Sequence, residues 1–157
     1  MKRRLRFLSL ILAVLLTGCG YRFTAGYSAE RFSLAKLQNA TAEPRLADMF
    51  EEALLKAAGI RRRDGSPSLQ VVLAEFSEVV QSVTSQGEPV RQEIYLTFEW
   101  RAESPSGGED LSGRARVDRS YLWSPDPVTL DWNRRAALRL ICEEAARGLS
   151  DRLAGIK

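Results

Sequence analysis

Glu93-Ile94-Tyr95-Leu96-Thr97-Phe98-Glu99-Trp100-Arg101 decides how this chain folds. Ile94, Leu96, Phe98 and Trp100 alternate with Glu93, Tyr95, Thr97, Glu99 and Arg101, and a period of two puts each set on its own face of a strand. One face is apolar and the other wet, the pattern of an antiparallel strand half-buried in a sheet. Its neighbours follow from the turn signals on either side. Upstream, Leu69 to Val83 is rich in valine and reads as a long strand. Phe76 falls out of phase with Leu69, Val71 and Leu73, which predicts a bulge or bend near Ala74-Glu75. Thr84 to Pro89 is the loop between them. Downstream, Ser104-Pro105-Ser106-Gly107-Gly108 leads to Leu111–Leu122, with Ala115, Val117 and Tyr121 facing inward. Three sequential strands make an antiparallel meander.

A sheet with one apolar face needs a covering layer. Two amphipathic helices supply it. The first is expected from about Pro44 to Ala58, with Leu46, Met49, Phe50, Ala53, Leu54 and Ala57 at three- and four-residue steps. Gly59 stops it, and Arg61-Arg62-Arg63-Asp64-Gly65 follows as a basic turn. The second is expected from about Asp131 to Leu153, after breaks at Pro125 and Pro127. Its stripe is Ala137 or Leu138, Ile141, Cys142, Ala145, Leu149 and Leu153. Ahead of the first helix, Arg31 to Leu37 is a strand with Phe32, Leu34 and Lys36 on one side. The expected class is α/β in the two-layer α+β sense: a four-stranded mixed sheet covered by two helices, in the order β-α-β-β-β-α.

The first eighteen residues stand apart. Lys2, Arg3, Arg4 and Arg6 precede an apolar run from Phe7 to Leu16, which is shorter than the roughly 20 residues that cross a bilayer. Leu16-Thr17-Gly18-Cys19 resembles a lipobox, so residues 1–18 are expected to be a cleaved lipoprotein signal and Cys19 the acylated N-terminus. The alternatives are an ordinary secretory signal and an uncleaved anchor. Two or more acyl chains hold a protein on a membrane far more firmly than one. Gly20, where aspartate would signal inner-membrane retention, favours the outer membrane, with the domain facing the periplasm. Residues 19–29 read as a lipidated N-terminus and tether, and 30–157 as a single domain.

Removing this segment changes the charge argument. It carries four of the chain's 23 basic residues and none of its 20 acidic ones, so the remainder is near neutral. A nucleic-acid partner, which wants a basic face on the folded domain, is not expected. The chain has two cysteines, and with Cys19 lipidated no intrachain disulfide can form. Cys142 reads as a small buried hydrophobe rather than a reactive thiol.

Histidine is absent, which removes Ser-His-Asp and Cys-His sites and the commonest zinc ligand. Glu51-Glu52 and Glu143-Glu144 are sequence neighbours and diverge on a helix, a poor arrangement for a general acid/base pair. Neither a metal nor a cofactor is implied, and no enzymatic role is expected. The basic clusters Arg61–Arg63, Arg114 with Arg116 and Arg119, and Arg134-Arg135 suit phosphate groups; the plainer reading is a solvated face. Trp123 and Trp132 are candidate partner anchors, or simply core.

Gly18-Cys19-Gly20-Tyr21-Arg22-Phe23, Leu37 to Pro44 leading into a helix, the Glu93–Trp100 strand, Ser120-Tyr121 and the alanine-rich last helix together resemble the LptE family of lipopolysaccharide-assembly lipoproteins. A departure is Ala35 and Leu37 where the family often has proline and phenylalanine. The resemblance implies a non-enzymatic two-helix, four-stranded domain that plugs a large outer-membrane β-barrel, LptD, and supports lipopolysaccharide transport and insertion in the outer leaflet. It also implies lipopolysaccharide contact at Arg91, read as a loop residue ahead of its strand, and at Arg134 and Arg135 near the start of the last helix. The competing reading is a periplasmic adaptor lipoprotein, serving a lipid ABC transporter or activating a peptidoglycan synthase, because similar small folds serve those roles.

Overall fold

The computed structural model describes residues 29–155. The signal, Cys19 and most of the tether lie outside the described residues. After a short 3-10 turn, Ala29–Arg31, the elements are β1 (Ser33–Asn39), α1 (Leu46–Ala58), β2 (Arg61–Arg62), β3 (Ser68–Val83), β4 (Pro89–Ala102), β5 (Leu111–Leu122) and α2 (Pro127–Ala154). The sheet has five strands in the order β2-β1-β3-β4-β5. β1 runs parallel to β2 and β3, and β3-β4-β5 form the antiparallel meander.

The fifth strand corrects the expected four. β2 is two residues long, pairing Arg61 and Arg62 with Ser33 and Leu34. Its side chains are exposed and carry no apolar alternation, so only the buried Ile60 before it fixes its path. Gly59 ends α1 at φ 65°, the left-handed region that glycine enters without a Cβ penalty, and its N–H donates to the Leu55 carbonyl.

On β4 the apolar set lies where alternation put it, with Ile94, Leu96, Phe98 and Trp100 all buried. On β3 the register shifts between Leu73 and Glu75. Ala74 is the extra residue, and beyond it Phe76 and Glu78 take the helix-facing side opposite Leu96 and Ile94. A second shift on β1, between Leu34 and Lys36, was not legible. It turns Lys36 out beside Gln70 and brings Leu37 against the core, opposite to the expected phase.

Both helices pack on one face of the sheet, α1 against β1 and α2 against β5, and against each other. The Phe50 and Phe98 rings meet at 5.5 Å and 56°, joining α1 to β4. α2 starts four residues before the expected Asp131. Asp126 caps it, its carboxylate accepting from the Val128 and Thr129 N–H groups, and Pro127 follows where its missing N–H is no loss. Proline here opens a helix rather than breaking one. Hydrogen bonds from the Thr129 hydroxyl and N–H hold the Asp126 carboxyl below its usual range. Within α2, Cys142 is fully buried, and burial, aided by the charge of Glu143, pushes its thiol up to about 12. No helix among the described residues is long and apolar enough to cross a membrane.

β5 is the far edge of the sheet. Its inner-face residues are Leu111, Gly113, Ala115, Val117, Arg119 and Tyr121, and Arg119 meets Glu144 of α2. Gly113 lies opposite Trp100, with the indole over its Cα.

Candidate functional site

The three basic candidates fall on opposite faces of the sheet. Arg91 is not in a loop: β4 begins at Pro89, and Arg91 pairs with Ser82 and Leu122 on the helix-free face. Pro89 and Val90 lack the alternation that marks the rest of the strand, so its first residues were not recognisable. The Arg91 side chain is exposed and has no hydrogen-bond or ion-pair partner among the described residues. Around it stand the exposed aliphatics Val83, Val90 and Leu122.

Arg134 has the opposite environment. Its guanidinium donates to Glu43 at 2.9 Å and to Glu78 at 3.1 Å, and its side chain is only 28% exposed. Burial alone would lower its pKa. Hydrogen bonds that it donates to Glu43 and then to Glu78 outweigh that and hold it above the ordinary arginine value. The network continues: the Tyr121 hydroxyl meets both the Glu78 carboxylate and the Gln92 side-chain carbonyl. At its other end, Glu43 belongs to a turn in which the Asn39 side chain donates to the Glu43 carbonyl and accepts from the Thr41 N–H. One arginine thus ties together the turn before α1, the helix α2 and the strands β3, β4 and β5. Arg135 is separate, paired at 2.6 Å with Asp131 one turn earlier.

Glu43, Glu78, Gln92 and Tyr121 were not singled out as site residues. The one available signal was phase: with a bulge at Ala74, a carboxylate at 78 falls on the buried face and requires a partner.

Several residues of the other basic clusters have local partners. Arg114 lies between Glu75 at 3.0 Å and Glu99 at 3.8 Å, Arg101 pairs with Asp110 at 2.9 Å, and Arg116 stacks on the Tyr95 ring at 4.2 Å. The Tyr95 hydroxyl donates to Glu93 at 2.6 Å, a bond that, with some burial, raises its pKa. Thr97, on the solvent side of β4, is only 6% exposed between its cross-strand neighbours Glu75 and Arg116, and a groove of about 330 Å³ runs past these residues and Arg114. A cavity of about 390 Å³ extends along the same face past Val72, Glu99, Arg101 and Ser112. Arg62 pairs with Glu51.

The adjacent carboxylates are split between partners: Glu51 goes to Arg62, Glu143 to Lys56 and Glu144 to Arg119. They converge on no common point. Among the described residues no cluster of His, Cys, Asp or Glu is arranged to hold a metal. Trp132 is 74% exposed and shares an outward face of α2 with the exposed Val128, Ala136 and Leu140, whereas Trp123 is half-buried.

Solved structures share this arrangement. A lipoprotein from Caulobacter crescentus is 23% identical with a TM-score of 0.50, covering 75% of this chain and 87% of that one. A minor lipoprotein from Acinetobacter baumannii is 14% identical with a TM-score of 0.50, covering 80% and 91%. Rare lipoprotein B from Shewanella oneidensis is 18% identical at 0.46, covering 75% and 89%. At such identities the first two likenesses establish a common fold. No curated protein matches the sequence significantly. The lipopolysaccharide-assembly family model LptE matches residues 29–153, almost all of the described domain. The chain therefore belongs to the LptE family of lipopolysaccharide-assembly lipoproteins, a family without enzymatic activity.

Proposed function

We propose that this protein is exported on residues 1–18, cleaved, and lipidated at Cys19 with diacylglycerol and palmitate. Residues 19–29 then tether a single domain, 30–157, to the periplasmic side of the outer membrane. There it forms a complex with an LptD-like β-barrel as plug and assembly factor, supporting lipopolysaccharide transport to the outer leaflet. The family match over residues 29–153 carries this reading. The paired charges of the helix-free face support it, because the interior of an outer-membrane barrel is polar. The exposed Trp132 suits an anchor on the barrel partner.

Isolation from membranes in mild detergent through a C-terminal tag should recover an outer-membrane β-barrel in stoichiometric amount. Recovery of only an inner-membrane ATPase complex or a wall synthase would replace this reading with that of a periplasmic adaptor.

Within the same proposal, Arg91 is the lipopolysaccharide contact, since an exposed guanidinium without an internal partner is free to meet a phosphate. Contact at Arg134 or Arg135 would require opening the pairs with Glu43 and Glu78 or with Asp131. Arg91→Asp should weaken binding to purified lipopolysaccharide while the thermal midpoint stays within a few degrees, as for most surface substitutions. Undiminished binding would remove Arg91 from the site.

A further inference from the structure

We propose that Arg134 is a positioning residue: by bridging Glu43 and Glu78 it fixes, through Tyr121 and Gln92, the end of the β3–β4 hairpin that presents Arg91. This inference rests on the reading of Arg91 as the lipopolysaccharide contact.

The hairpin has a firm base and a loose end. Up to Ile94 the inner face of β4 is buried, and on β3 Leu69, Val71 and Leu73 are buried with Phe76 partly so. Beyond that, Val79, Val80, Val83 and Val90 are all exposed, and β3 shifts register twice, between Val80 and Ser82 and between Ser82 and Val83. Apolar packing therefore does little to fix the direction of the end. Polar contacts take over where packing stops: Glu78 opposite Ile94, Gln92 opposite Val80, and Tyr121 opposite Gln92 on β5. Gln92 is gripped on the inner face. Arg91, the next residue, projects from the outer face.

Arg134 holds this grip because it compensates two carboxylates at once. Glu43 and Glu78 reach it from elements far apart in the chain, and both are largely screened from water. Without the guanidinium the two carboxylates face each other uncompensated, and like charges repel and separate. Glu78 can then turn outward and leave the Tyr121 hydroxyl, which unties β3 from the Tyr121–Gln92 pair. The fork geometry matters, since two acceptors in different directions suit five planar donors better than one ammonium.

The test uses the full-length protein purified in detergent, with hydrogen exchange resolved by peptide and affinity measured for purified lipopolysaccharide. Arg134→Met should speed exchange in peptides spanning residues 79–92 while peptides from β1 and α1 keep their rates. It should also lower affinity at least about tenfold, on the order of one charged hydrogen bond. Arg134→Lys should restore both in part. Arg91→Asp should lower affinity and leave hairpin exchange unchanged.

Weaker binding by Arg134→Met with unchanged hairpin exchange would overturn the proposal in favour of direct contact. Faster exchange throughout the domain would overturn it in favour of general stability, as would loosening of the hairpin with undiminished affinity. Full affinity in Arg91→Asp would instead retire the reading of Arg91 as the contact, and the exchange result would still report whether Arg134 holds the hairpin.

Discussion

Phe98→Ala is expected to lower the unfolding free energy by about 3–5 kcal/mol, the range for deleting a buried phenylalanine ring. Phe98 is 1% exposed and sits on β4 between Leu73 of β3 and Ala115 of β5, with the Phe50 ring across from it. The cavity opens where both helices and three strands converge, and close-packed neighbours held in their own rotamers relax into it only partly. The tilted ring pair adds to the loss, since such pairs contribute about 0.5–1.5 kcal/mol beyond area. Urea or guanidinium unfolding of the two proteins measures the difference. A loss under about 1 kcal/mol would mean that the site collapses freely and that Phe98 is not the centre of the core. The Phe50→Ala, Phe98→Ala double variant should lose less than the sum of the single losses, because the rings touch.

Gly113→Val is expected to be nearly as damaging for the opposite reason. A Cβ at position 113 would stand 2.8 Å from three indole atoms of Trp100, Cε2, Cζ2 and Nε1. No flexible chain end is available to move aside, because the obstacle is the middle of a rigid ring. Overpacking of this kind costs about 1–3 kcal/mol, and valine's two methyls place it at the upper end or above. Trp100 is 9% exposed, and its buried Nε1 has no hydrogen-bond partner among the described residues, so packing rather than a polar tie holds the ring there. Trp100→Leu in the same chain should recover part of the loss by clearing the space above position 113. If the double variant is no more stable than Gly113→Val alone, the indole is not what the glycine accommodates.

Both positions lie on the strands that were most readable. The alternation from Ile94 to Trp100 identified β4 and its buried face, and Phe76, out of step with Leu69 to Leu73, marked the bulge at Ala74. What was lost in the sequence had physical causes. β2 is too short to carry a period. Ala35 is a bulge in a strand with too few apolar residues to betray the shift. Pro127 reads equally as a helix start or a break, and only the Asp126 cap decides between them. The polar network was the least visible feature, because Arg134 lies 91 residues from Glu43 and 56 from Glu78, and no local pattern joins them. Arg91, by contrast, was named from family resemblance, and its environment emerged only when the strand was seen to begin at Pro89.

Arg119 has a consequence for how copies of this protein behave toward one another. An edge strand offers a row of open backbone groups on which another strand can grow, and alternate residues along the twelve of β5 do so here. Yet Arg119 points under the sheet toward Glu144 rather than out to solvent. A second copy joining strand to strand would lay its own Arg119–Glu144 pair beside the first, and covering both pairs would strip charged groups of water at a cost. Charge placed on the inner side of an edge is a known guard against fibrous self-association, and Arg119 sets such a charge along the open edge of this sheet.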